Sequence, residues 1–178
     1  MKNTKKKRRI LMFLSVILAI ILISSITLSF YFLRPLRYSN AEIIVYNFDY
    51  QPAFDSKIRQ YNENSLVSFR NENCTFSSRD MNDYCKVNVS VDVYNRTGIN
   101  AFVNYIYPIT DNDFIIFGII PLATMQAPAN TISECYSTFI CLRNGKTDEE
   151  IINAMSEMDY KIVFGNSVLW ENSQTIHF

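Results

Sequence analysis

Residues 10–33, ILMFLSVILAIILISSITLSFYFL, form one uncharged apolar run of 24 residues. As a helix rising about 1.5 Å per residue, it reaches roughly 36 Å, more than the hydrocarbon core of about 30 Å. The sequence therefore predicts a transmembrane signal-anchor helix from Ile10 to Leu33, with membrane lipid as its partner. Lys2, Lys5, Lys6, Lys7, Arg8 and Arg9 precede the run, and only Arg34 and Arg37 follow it closely. Basic residues favour the cytoplasmic side, which predicts a single-pass membrane protein with its N-terminus cytoplasmic and its C-terminal domain extracytoplasmic. A cleavable secretory signal, cut after Ser29, is the alternative. The apolar stretch exceeds the usual signal core of about 7–15 residues.

The expected organisation is a basic tail over 1–9, the anchor over 10–33, a short stalk over 34–40 and one domain over 41–178. Charge is uneven between these parts. Eight of the 17 basic residues lie at or before Arg37 and all 17 acidic residues lie after it, so the domain carries 9 positive against 17 negative charges. Nucleic acid is not expected as a ligand, because phosphate binding needs a basic footprint.

Cys74, Cys85, Cys135 and Cys141 are disulfide candidates, since an extracytoplasmic compartment permits bridges. Their spacings match no zinc pattern. In a strand, Cys135 and Cys141 stand about 20 Å apart on one face, too far to bond, so each is expected to cross to Cys74 or Cys85.

Residues 84–95 give the clearest strand. Cys85, Val87, Val89, Val91 and Val93 alternate with Lys86, Asn88, Ser90, Asp92 and Tyr94, the pattern of a half-buried strand. Further strands are expected over 42–50, 65–70, 101–109, 114–120, 134–143 and 160–164, resuming over 167–170, with a turn or short helix over 51–60. Residues 71–83 and 126–133 read as loop. Thr147 and Glu150 form a capping box ahead of Ile151, Ile152, Met155 and Met158, predicting one short amphipathic helix. The fold expected is mainly β, an immunoglobulin-like β-sandwich after the anchor, with an α+β mixed sheet as the alternative.

Val89-Ser90-Val91-Asp92-Val93-Tyr94-Asn95-Arg96-Thr97-Gly98, followed by Val103-Asn104-Tyr105-Ile106-Tyr107, resembles the core of FxLYD-type immunoglobulin-like domains of membrane-anchored surface proteins. The resemblance covers about residues 85–107. Pro108 stands where that family carries an aspartate. It implies a sandwich on a surface protein, with a binding role and no catalytic residues.

The sequence carries no evident catalytic constellation. His177, the single histidine, lies beside the C-terminus, where a catalytic triad is not expected. Four glycines cannot build a phosphate loop. Asp111 and Asp113 offer too few oxygens for calcium and suit a turn. No cofactor or metal is expected. Asn73, Asn88 and Asn95 head N-x-S/T sequons and are possible glycosylation sites. Tyr94, Tyr105 and Tyr107 suit either a sandwich face or a recognition platform. The expected function is a membrane-anchored extracytoplasmic binding or accessory module, holding a protein or envelope partner and not an enzyme. The alternatives are a secreted domain released by signal cleavage, or a carboxylate-dependent hydrolase.

Overall fold

A computed structural model describes residues 12–26, 36–96, 98–110, 112–121, 125–166 and 170–178. The chain divides into two units, Met1–Pro35 and Leu36–Phe178.

In the first unit a helix, α1, covers residues 12–26 and is exposed along its length. This corrects the membrane expectation. No helix among the described residues is long and apolar enough to cross a membrane. The described part of α1, 15 residues, covers about 22 Å. The single-pass localisation and its orientation rested on that span and are corrected with it. Residues 10, 11 and 27–33 of the expected span lie outside the described residues, as does the basic tail.

The second unit runs β1 (Leu36–Tyr46), α2 (Gln51–Asn62), β2 (Val67–Arg70), β3 (Tyr84–Asn95), β4 (Ala101–Pro108), β5 (Ile115–Ile119), β6 (Met125–Ala127), β7 (Ile132–Leu142), α3 (Asp148–Ser156), β8 (Asp159–Asn166) and β9 (Trp170–His177). It is mainly β, with two antiparallel sheets ordered β1-β3-β7-β5-β2 and β6-β4-β8-β9. The expected sandwich matches this coarse architecture.

The expected stalk does not stand apart from the domain. Leu36 is buried and opens β1 opposite Asn95, so residues 36–40 belong to the first strand. Leu36 and Tyr38 face the core as their alternation requires, and the Tyr38 hydroxyl donates to the Thr175 carbonyl.

The sandwich has two cores. The larger lies between the sheets, where Val87, Val89, Val91 and Val93 of β3 meet Val103 and Ile106 of β4, Ile162 and Phe164 of β8, and Ile176 of β9. A register shift in β4 between Val103 and Tyr105 breaks the ladder there. Buried Ser137 accepts the Ile106 N–H at 3.0 Å, supplying an interior partner at the bulge. Helix α3 adds Ile151 and Met155 to this core and is capped as expected, with Thr147 and Glu150 each bonded to the other's backbone.

The second core lies on the other face of the five-stranded sheet. Helix α2 begins with Pro52 in its first turn and carries Phe54, Ile58 and Tyr61 at spacings of four and three, one face of a helix. These pack with Phe76 and Tyr84 over Ile116, Phe117 and Ile140. Phe54 stacks on Tyr84 with ring centroids 4.9 Å apart. The Tyr84 hydroxyl accepts the Ser77 and Ser78 N–H groups and donates to the Ser78 carbonyl, pinning the loop that closes this layer.

Candidate functional site

Helix α2 covers only part of the outer face of the five-stranded sheet. Register shows what the remainder presents. Residues directly opposite on neighbouring strands project to the same face. Arg37, Tyr94 and Ile132 share one row, and Ser39, Asp92 and Glu134 the next. Glu42, Ser90 and Tyr136 follow, then Ile44, Asn88 and Thr138, with Tyr46 and Lys86 at the far end.

Ile44, Tyr46, Tyr94, Ile132 and Tyr136 are all exposed, at 37–66 % of their free surface. Five large apolar side chains on one sheet face make a patch rather than scattered singles. Between them sit the carboxylates of Glu42, Asp92 and Glu134. Asp92 and Glu134 are direct cross-strand partners of like charge, a placement that costs stability. Among the described residues, the ion pairs are Arg143 with Asp148 and His177 with Asp159, and neither reaches this row. Asp92 accepts instead from the Asn40 amide at 2.9 Å. Below the row, burial and then the charges of Glu134 and Asp92 push the Cys135 thiol up to about 12.

The sequence reading placed Asp92 and Tyr94 outward, where they are. It missed Glu42, Ile44, Ile132, Glu134 and Tyr136. The alternation of inward Cys135, Ser137, Phe139 and Cys141 was a usable signal for β7, but only register brings three strands together.

The other singled-out residues are spread through the fold. Asn73 is exposed and Asn88 half-buried, its Oδ1 accepting from Thr138 at 2.8 Å. Asn95 is fully buried, and its Nδ2 donates to the carbonyls of Ile99 and Ala127. That amide knits β3 to β6 and leaves no space for a sugar, which corrects the glycosylation reading at Asn95. Tyr105 and Tyr107 lie half-buried on β4, alternating with core residues, and Tyr107 stacks on Phe69. His177 is not frayed: it ends β9 opposite Asp159 and its Nδ1 contacts that carboxylate. Asp113 is exposed, and Asp111 lies outside the described residues. No group of three or more His, Cys, Asp or Glu among the described residues could hold a metal ion.

A cleft of about 280 Å³ opens between Arg70, Glu72, Pro108 and Thr110. Asn71 at its base spends its amide on the Asn112 and Ile115 carbonyls and its Oδ1 on the Asn73 N–H, a structural use.

The cysteines divide between the cores. Cys85 and Cys141 are direct cross-strand partners and fully buried between the sheets, as is Cys135 farther along β7. Cys74 sits in the core beneath α2. All four are free thiols here, so neither expected crossing, from Cys135 or from Cys141 to Cys74 or Cys85, is formed.

Protein-family models, curated proteins and solved structures give no match to this chain.

Proposed function

We propose that the Leu36–Phe178 domain is a binding or accessory module that holds a protein partner on the open β1–β3–β7 face. One observation carries this reading: exposed Ile44, Tyr46, Tyr94, Ile132 and Tyr136 share a face with Glu42, Asp92 and Glu134, whose carboxylates make no ion pair among the described residues. Aromatic and aliphatic side chains supply area that gains from desolvation, and tyrosine is enriched at protein interfaces. Uncompensated carboxylates among them favour a partner carrying lysine or arginine at matching positions. The negative balance of the domain supports the same sign preference and opposes nucleic acid as partner. An immunoglobulin-like reading of the sandwich belongs to this proposal and rests on residues 85–107.

The test is site-specific photocrosslinking in cells that make the protein. A crosslinking amino acid replaces Tyr136 in one variant and exposed Glu149 of α3 in another. A discrete heavier species from position 136, absent from position 149 and lost when Ile132→Ser is added, is the expected result. Equal labelling from both positions, or none from either, overturns the assignment of the face.

A further inference from the structure

We infer that Cys85 and Cys141 are an oxidisable pair that closes a cross-strand disulfide between β3 and β7, while Cys74 and Cys135 remain thiols. Directly opposite residues of antiparallel strands have Cα atoms about 4.5–5.5 Å apart, within the window of about 4.4–6.8 Å that a disulfide spans. Cys85 and Cys141 hold that relation in an unbroken register from Tyr84 to Tyr94. Both side chains are fully buried on the inner face of that sheet.

The other pairings fail on geometry. Cys135 stands opposite Val91, six residues along β7 from Cys141, about 20 Å away. Cys74 belongs to the core under α2, with Tyr84 and Ile140, whereas Cys85 and Cys141 face the other sheet. The backbone of the five-stranded sheet therefore separates Cys74 from both.

In the folded chain the adjacent Cys141 thiol, and then the nearby Arg143 charge, hold the Cys85 thiol below its usual range. Burial drives Cys141 up. With the strands apart either sulfur can attack first, and both orders give the same bond. In one order, with a low-molecular-weight disulfide such as oxidised glutathione, the Cys85 sulfur attacks one glutathione sulfur and expels the other as thiolate. That thiolate takes the proton of Cys141. The Cys141 sulfur then attacks the Cys85 sulfur of the mixed disulfide and expels the second glutathione. Two protein thiols become one disulfide, and one glutathione disulfide becomes two thiols. Because neither sulfur is exposed, the reaction needs β3 and β7 apart, so it is fast during folding and slow in the folded chain.

The experiment refolds the full chain from urea in oxidised plus reduced glutathione, blocks remaining thiols with iodoacetamide and maps the peptides. Trypsin alone leaves Cys135 and Cys141 on one fragment, and chymotrypsin separates them at Tyr136 or Phe139. The expected product links Cys85 to Cys141, carries alkylated Cys74 and Cys135, and melts roughly 10 °C higher than the reduced chain. A variant with Cys74→Ala and Cys135→Ala keeps the link. A bond involving Cys74 or Cys135, or four alkylated cysteines after oxidative refolding, overturns the inference. The wild-type map decides alone should the variant not fold.

Discussion

Replacing Glu134 with lysine separates what the open face costs in stability from what it is for. Asp92 and Glu134 are directly opposed on β3 and β7, with Cβ atoms about 5 Å apart by strand geometry. At that spacing two unit charges in water repel by about 0.8 kcal/mol. Glu134 is exposed and can lean away, so the felt repulsion is nearer 0.5 kcal/mol, typical of surface pairs. Glu134→Lys removes it and adds an attraction of similar size, a gain of about 1 kcal/mol. For a domain of this length that raises Tm by about 3 °C. Glu134→Gln, which only removes the repulsion, gives about half. The assay is urea unfolding of the full chain at about 0.05 M and 1 M NaCl, where the screening length falls to about 3 Å and the gain shrinks below half. In the photocrosslinking experiment the same variant loses its partner, so stability and binding move in opposite directions. A lysine variant that is less stable than wild type, or a gain unchanged at high salt, refutes the electrostatic reasoning.

Tyr84→Phe keeps the ring against Phe54 and Phe76 but strands the Ser77 and Ser78 N–H groups. It costs about 2 kcal/mol, read by urea unfolding, with amide exchange speeding up over residues 77–80. Gly118→Ala places a Cβ 2.7 Å from Ser68 Oγ and 3.2 Å from the Phe139 ring, so unfolding shifts by about 1–3 kcal/mol toward the unfolded state. Thr147→Ala removes the α3 cap and costs about 1 kcal/mol by the same measure. The Thr147 backbone and side chain hold the Glu150 carboxyl below its usual range. A depressed folded value stabilises above the unfolded pKa and is lost as pH falls through the folded one. Acid titration followed by amide exchange in α3 therefore loosens wild type as pH falls through and below the ordinary carboxylate range; Glu150→Gln lacks that acid-dependent step, and Thr147→Ala, which keeps the larger backbone bond, retains part of it.

Elements whose information is local were readable from the chain. The five alternating apolar positions of β3 match its bounds, because a period of two on a half-buried sheet leaves one solution. The α3 capping box was equally clear, since both partners lie within one turn. The extended conformation of Leu36–Ser39 was not readable, because a short segment beside a proline is indistinguishable from a linker until it pairs with Asn95 through Asp92. Strand β6, three residues long, has too little pattern to show and forms only against β4.

The sequence by itself determined the charge balance of the domain, its strand-rich pattern and the turn that starts α3, all set by composition or by neighbours along the chain. Only the tertiary structure decided that Cys85 meets Cys141, that Asn95 is interior, and that Glu42, Asp92, Glu134 and Tyr136 share one open face. Those are relations between residues far apart in sequence. Strand register and the coverage provided by α2 set them, and both follow from how apolar faces pack together rather than from any local propensity.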